Sequence, residues 1–236
     1  METLKVGTAV PLAPFNSMPD GGGLDIDLMT ALAEKLGATI EFVERHSATD
    51  AIYEGLDTGE YDCVAAGAVV TPERETKARF VAPYLISGQA LAVDAKRLPR
   101  VHSLDDLAGL TVGVRQGRTG QPIAERLVDE GAAAAVRVYD DASIGAAPTD
   151  LSSGACDAFL ELAPVLTELV KPVPGVAVVA RGLSVENIAV AVGLHNQALL
   201  SRLSVAQAEL EDDGTLQAIR RKWLGNPYAD QSLAVH

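Results

Sequence analysis

Apolar and polar positions along this chain alternate in two rhythms. Short β-branched runs are followed by longer stretches in which apolar residues recur every three or four positions. Repeated almost to the end of the chain, that alternation predicts βαβ units and a mostly parallel sheet of the α/β class. Residues 4–7 read as a strand, and residues 25–36 as an amphipathic helix with Leu28, Met29, Leu32 and Leu36 on one face and Gly37 as its stop. Strands are expected at 39–43 and 61–66, with a helix at 47–56 between them. Residues 80–95, FVAPYLISGQALAVDA, break the rhythm as a long extended stretch with no helix between its parts.

A second series then begins. Ser103 reads as the N-cap of a short helix over 103–107, with Asp105 and Asp106 favourably placed in its first turn. Strands at 110–116, 135–139, 156–160 and 176–180 and a helix at 119–130 follow. A second extended stretch at 186–192 leads into helices at 197–210 and 215–224, split by the turn Asp212-Asp213-Gly214. The two series echo each other. LKVGTAV at 4–10 resembles LTVGVRQ at 110–116, and TGEYDCV at 58–64 resembles SGACDAF at 153–159. Two similar lobes are therefore expected, the first made from residues 1–88 and 190–236, the second from 89–189, with the two extended stretches as crossings.

Composition narrows the function. With 19 Lys and Arg against 32 Asp and Glu, the net charge of −13 is badly placed to neutralise phosphates, and nucleic-acid partners are set aside. At 48% hydrophobic and 22% charged residues the chain is globular in composition. Aromatics are only 4%, so the core is expected to be aliphatic. No run reaches the ~18 apolar residues of a membrane span, and the N-terminus METLKVGTAV has neither the basic nor the apolar region of a signal peptide, which fits a cytoplasmic chain or a mature exported domain. Cys63 and Cys156 allow one disulfide, but each sits in an apolar strand-like run and reads more simply as a buried free thiol. The four histidines, His46, His102, His195 and His236, follow no metal or catalytic-triad pattern, and no cofactor is expected.

Several segments together carry a resemblance. GTAVPLAPF, GGLDIDLMTALAEKLG, the TPER that precedes FVAPY, LDDLAGLTVGVRQGRTG and the closing AELEDDGTLQAIRRKWLG resemble the extracytoplasmic solute-binding proteins of ABC transporters, in their polar amino-acid family. The resemblance runs from about residue 4 to 225. It implies the type II periplasmic binding protein fold: two lobes, each a mostly parallel sheet flanked by helices, joined by two extended hinge crossings and closing on a small ligand. It also implies a periplasmic or extracellular location, either free or as a membrane-anchored lipoprotein, and a permease as partner. A monomer is expected.

Carried over residue by residue, the resemblance assigns the ligand's α-carboxylate to Arg74 of TPER, whose fork can donate two parallel hydrogen bonds to a planar carboxylate. The simpler reading of Arg74 is a surface ion pair with a carboxylate such as Asp25 or Asp62. Within GVRQGRTGQ the glycine turn between strand and helix directs N–H groups and a positive dipole end at an anion. The resemblance gives Thr119 the carboxylate from the other side; capping its own helix is the local alternative. Arg118 reaches a second acidic group on the ligand or, more simply, faces solvent. Gly67 belongs to the site by the same correspondence, and Phe15, Asp25 and Tyr84 can also line it, with helix capping as the alternative for Asp25.

Other positions depart from the family's pattern. The two aromatics that usually sandwich the ligand are Leu12 and Thr49 here. The hydroxyl residue that accepts the ligand ammonium is Val69, and the acidic residue that pairs with it is Leu162. A buried ammonium without a carboxylate partner costs several kcal/mol, roughly, so an ordinary α-amino acid is poorly served. Glu161 can substitute if it turns inward; a solvated surface glutamate is its commoner fate. The expectation is a binding protein for a carboxylate-containing, amino-acid-like solute, with no catalytic residues. The alternatives are an enzyme resembling cyclohexadienyl dehydratases, whose general acid would be sought where Val165 stands, and a sensor or receptor domain or a binder with a defunct site.

Overall fold

The computed structural model of the protein describes residues 2–18, 21–45 and 50–225. The chain divides into two compact units. Among the described residues, one comprises those up to Ile86 and those from Glu186 on; the other is Ser87–Val185.

The first unit opens with β1 (Thr3–Ala9), α1 (Leu24–Leu36) and β2 (Thr39–Arg45), and β1 and β2 pair in parallel with Val6 opposite Phe42. Helix α1 buries Leu24, Leu28, Met29 and Leu32, each fully buried aliphatic side chain contributing about 1.5–3 kcal/mol. Gly37 ends it in the left-handed conformation. Next come α2 (Glu54–Thr58), β3 (Cys63–Val64), α3 (Pro72–Glu75), β4 (Ala78–Phe80) and β5 (Leu85–Ser87). The helix expected at 47–56 is a 3-10 turn, Asp50–Tyr53, running into α2; its first residues, 47–49, lie outside the described residues, as do His46 and His236. The strand expected at 61–66 shortens to β3, because Tyr61 sends its buried ring into the core and its hydroxyl to the Ile52 carbonyl.

The second unit contains β6 (Gln89–Asp94), β7 (Thr111–Arg115), α4 (Gly120–Asp129), β8 (Ala135–Tyr139), α5 (Ala147–Ser153), β9 (Ala158–Leu162), α6 (Ala163–Val170) and β10 (Val176–Ala180). Between β6 and β7, Ser103 and Asp106 form a reciprocal capping box on a 3-10 turn, Leu104–Asp106. The sheet order is β10-β6-β9-β7-β8. Both faces are covered: Ala90, Ala92 and Phe159 pack into one apolar cluster, while Leu91, Val93 and Leu160 pack into another. This is the period-two alternation of strands buried on both sides. Helices α5 and α6 went unread in the sequence, although each has a proline in its first turn.

The returning chain supplies β11 (Glu186–Ile188), β12 (Ala191–Gly193), α7 (Gln197–Asp212) and α8 (Thr215–Leu224). Strand β12 lies antiparallel between β3 and β4, completing a sheet of order β2-β1-β3-β12-β4. β5 and β11 pair as a separate two-stranded sheet. The closing helices grip earlier segments: Gln207 Nε2 donates to the Ala82 carbonyl at 2.8 Å, Arg220 Nε to the Tyr84 carbonyl at 2.6 Å, and Trp223 Nε1 to Asp27 at 2.7 Å.

Each large sheet is mixed. Its parallel part is the triplet read from the βαβ rhythm, β2-β1-β3 or β8-β7-β9; its antiparallel part is β12 with β4, or β6 with β10, and β6 and most of β12 fall in the stretches that the sequence marks as extended. The internal echo has a structural counterpart. Asp62 accepts the Lys5 N–H at 2.8 Å beside β1, and Asp157 accepts the Thr111 N–H at 3.0 Å beside β7. The glycine three residues before each aspartate, Gly59 or Gly154, ends a helix in the left-handed conformation.

Candidate functional site

In the first unit the TPER segment is itself α3. Thr71 is its N-cap, accepting the Arg74 N–H at 3.3 Å, and Pro72 holds the first turn. This places Arg74 on the third helical residue, with its side chain buried. The guanidinium is gripped through Nε by Asp50 Oδ1 at 3.0 Å and through Nη1 by the Val69 carbonyl at 2.9 Å, and its carbon stands 6.0 Å from the centre of the Tyr53 ring. In place of a surface pairing with Asp25 or Asp62, the buried Arg74 pairs with the half-buried Asp50, which Lys77 also reaches at 3.1 Å. Burial pushes the Asp50 carboxyl up, but the Arg74 and Lys77 charges outweigh it and hold the group below its ordinary value.

Two buried polar residues shape the neighbouring loops. Asn16 accepts the Leu12 N–H at 2.9 Å and donates to Thr8 Oγ1 at 2.8 Å and to the Ala9 carbonyl, so one side chain ties the 9–16 loop together. The peptide bonds Val10–Pro11 and Ala13–Pro14 in that loop are cis. Asp25 accepts the Gly67 N–H at 2.7 Å and the Tyr84 hydroxyl at 2.5 Å. It does not cap α1, whose N-cap is Gly23. Burial and the Asp25 charge push the Tyr84 phenol well above its ordinary range. Gly67 has φ +55°, and a Cβ there would meet Phe15 at 3.0 Å and Leu12 at 3.2 Å. Leu12, Phe15 and Gly67 therefore pack as one knot, with Leu12 and Phe15 buried. Val69 contributes its carbonyl to Arg74 and bridges to Ile188. Thr49 lies outside the described residues.

In the second unit Thr119 stands at the N-cap position of α4 yet makes no side-chain cap. Its hydroxyl instead accepts from Gln89 Nε2 at 3.1 Å. Gln121 reaches back to the Gly117 N–H at 2.9 Å and holds the turn closed. A Cβ on residue 120 would meet Gln89 Oε1 at 2.7 Å and the Leu160 carbonyl at 3.1 Å, so glycine lets the helix start lie against the end of β9. Arg118 does not face solvent: the residue is half-buried, with Nε and Nη2 shielded from water. Glu161 is also no surface residue. At 2% exposure it lies within β9, and its Oε1 accepts the Leu162 N–H at 2.8 Å where α6 begins. A carboxylate at that helix start is electrostatically favourable. Leu162 is buried beside it, and Val165 is buried in the first turn of α6.

The first unit thus gathers Leu12, Phe15, Gly67, Val69 and Arg74 around loops held by Asn16, Asp25 and Asp50. The second gathers Arg118, Thr119, Glu161 and Leu162 around Gln89. Asn16, Asp50 and Gln89 are the residues that sequence reasoning missed. Among the described residues no group of three or more His, Cys, Asp or Glu is placed to hold a metal ion, and no helix is long and apolar enough to cross a membrane. Cys63 and Cys156 are buried free thiols, one in each unit.

An α/β chain of two such units, with an arginine presented by a TPER helix and a glycine turn opening a helix, defines a solute-binding protein. The chain belongs to the bacterial extracellular solute-binding proteins, family 3, whose family model matches residues 4–226. It is 33% identical to the L-cystine-binding protein TcyJ of Escherichia coli strain K12, over 94% of this chain and 83% of that protein. Among solved structures it resembles an ancestral arginine-binding protein bound to arginine, with TM-score 0.84 and 35% identity over 95% of this chain and 99% of the other. It also resembles an ancestral amino-acid-binding protein that is a precursor of cyclohexadienyl dehydratase, with TM-score 0.81 and 31% identity over 94% and 95% of the two chains.

Proposed function

We propose that this protein binds a small amino-acid-like solute through its carboxylate, outside the cytoplasm, and acts as a monomer that delivers the solute to an ABC-type permease. The observation that carries the reading is Arg74. A guanidinium already anchored through Nε and Nη1 has lost its conformational freedom before any ligand arrives, and such preorganisation favours tight, oriented recognition of a planar anion. Thr119, at the start of a helix in the second unit, supplies a hydroxyl of the kind that suits a carboxylate. The names of relatives as cystine- and arginine-binding proteins support an amino-acid-like ligand. The ammonium-binding half is altered at Val69 and Leu162; the carboxylate nearest the latter is the buried Glu161, which takes over the ammonium in this reading. A binding role is favoured over catalysis because the position considered for a general acid is the buried, apolar Val165.

The test is thermal unfolding with L-cystine, L-arginine, L-histidine and L-glutamine, each beside its carboxamide. A ligand at 100 times its Kd adds about 2.7 kcal/mol and raises the midpoint by several degrees. At least one free acid should do so and its amide much less, and the rise should vanish in Arg74→Ala. A rise of equal size in Arg74→Ala overturns the reading.

A further inference from the structure

Asp50 and Tyr53 are the first and last residues of the 3-10 turn that runs into α2. A 3-10 turn eclipses side chains three residues apart, where an α-helix would splay them. Both side chains of this pair meet the same neighbour, the guanidinium of Arg74. Asp50 Oδ1 accepts from Nε at 3.0 Å along one edge of the fork, and the guanidinium carbon stands over the Tyr53 ring at 6.0 Å from its centre, about the distance at which a ring face attracts a cation. The turn is itself braced. Tyr53 is buried with its ring edge-on to Phe80 at 6.2 Å, and Asp50 Oδ2 accepts at 3.1 Å from Lys77 Nζ, three residues beyond Arg74.

A guanidinium that takes a planar anion in two parallel bonds must hold its own plane, and a long side chain gives up rotamer freedom to do so. A turn that contacts both an edge and a face of the fork fixes that plane before a ligand arrives. We propose that the 3-10 turn 50–53 is a positioning device for the ligand-binding arginine, with Asp50 and Tyr53 as positioning residues that set the orientation of the Arg74 fork. The inference rests on the reading of Arg74 as the carboxylate-binding group and adds to it which residues hold that group in one orientation. Both act through Arg74.

Isothermal titration of the whole chain with L-cystine, L-arginine, L-histidine and L-glutamine tests this. In Asp50→Asn, which keeps the shape and loses the charge, the Kd of the bound amino acid should rise about tenfold, the size expected when one charge-assisted hydrogen bond becomes a neutral one. Asp50→Glu, which restores a carboxylate, should bring the Kd back to within about threefold of wild type. Tyr53→Leu, which removes the ring face, should raise it about threefold. On Arg74→Lys, where a point charge replaces the fork, Asp50→Asn and Tyr53→Leu should each change the Kd by less than about twofold; a merely structural role of the turn would weaken both backgrounds alike. Circular-dichroism melts establish that each variant folds. If Tyr53→Leu does not, the Asp50 variants decide, and where Arg74→Lys binds too weakly to titrate, the recovery from Asp50→Asn to Asp50→Glu decides. An unchanged Kd in Asp50→Asn, no recovery in Asp50→Glu, or an equal rise on Arg74→Lys overturns the positioning role while leaving the site reading intact. Binding that survives Arg74→Ala, or wild-type protein that binds none of the four amino acids, overturns both.

Discussion

Single side chains in this protein hold more than their sequence context suggests. Asn16 is the clearest case: its amide serves Leu12, Thr8 and Ala9 at once while almost wholly buried. Asn16→Ala leaves a buried N–H and a buried hydroxyl without that partner and should cost about 2–3 kcal/mol in urea unfolding. Asp50 gives a pH signature. Its folded-state pKa lies below the ordinary 3.8, so its pairing with Arg74 and Lys77 stabilises the fold above that value and is lost as pH falls through the lower folded-state one. Asp50→Asn should therefore lower stability at neutral pH and flatten the acid limb below about pH 4, as read by urea midpoints across pH. The cysteines are held inert: burial pushes both thiols up. Neither should react with a thiol reagent in the native protein, and both should react in denaturant.

Elements were legible where periodicity is strong and faint where an element is short or its neighbours share its composition. α1, α4, α7 and α8 follow the apolar spacing, and the parallel triplets follow from the β-branched runs. α6 was hidden because APVLTELV continues the apolar run of β9, leaving Pro164 as the signal of a new element. The site was legible in part. The TPER motif identifies Arg74, but its partner Asp50 comes from a separate 3-10 turn, and no local spacing links the two. Glu161 looked like a surface acid because nothing in FLELAP shows that β9 is covered on both faces. Gln89 is one polar letter in an extended stretch, and its meaning depends on a helix start 30 residues on. At this scale Gly120→Ala is the sharp test. Its Cβ meets Gln89 Oε1 at 2.7 Å and the Leu160 carbonyl at 3.1 Å, so the Gln89 amide must swing off the start of α4 and the contact with β9 must loosen by a few tenths of an ångström. Ligand-induced thermal stabilisation should shrink by half or more while far-UV circular dichroism is unchanged.

For the whole molecule, the net charge of −13 acts on a ligand according to the ligand's own net charge. A zwitterion without net charge, such as cystine or glutamine, should associate at a rate nearly independent of salt, whereas cationic arginine should be drawn in by the acidic surface and slowed by screening. Stopped-flow rates across ionic strength would read that contrast directly. The position of β12 has another consequence, for the order of events during synthesis. This strand is the middle rung between β3 and β4, and it is made about a hundred residues after them. The amino-terminal stretch therefore waits with an unfilled slot in its sheet while residues 87–185 leave the ribosome with every strand of their own sheet present. The later-made unit is expected to fold first, a reversal of the usual amino-terminal-first sequence. Pulse proteolysis of a released fragment ending near residue 190, before β12, should find the second unit protected and the first still cleavable.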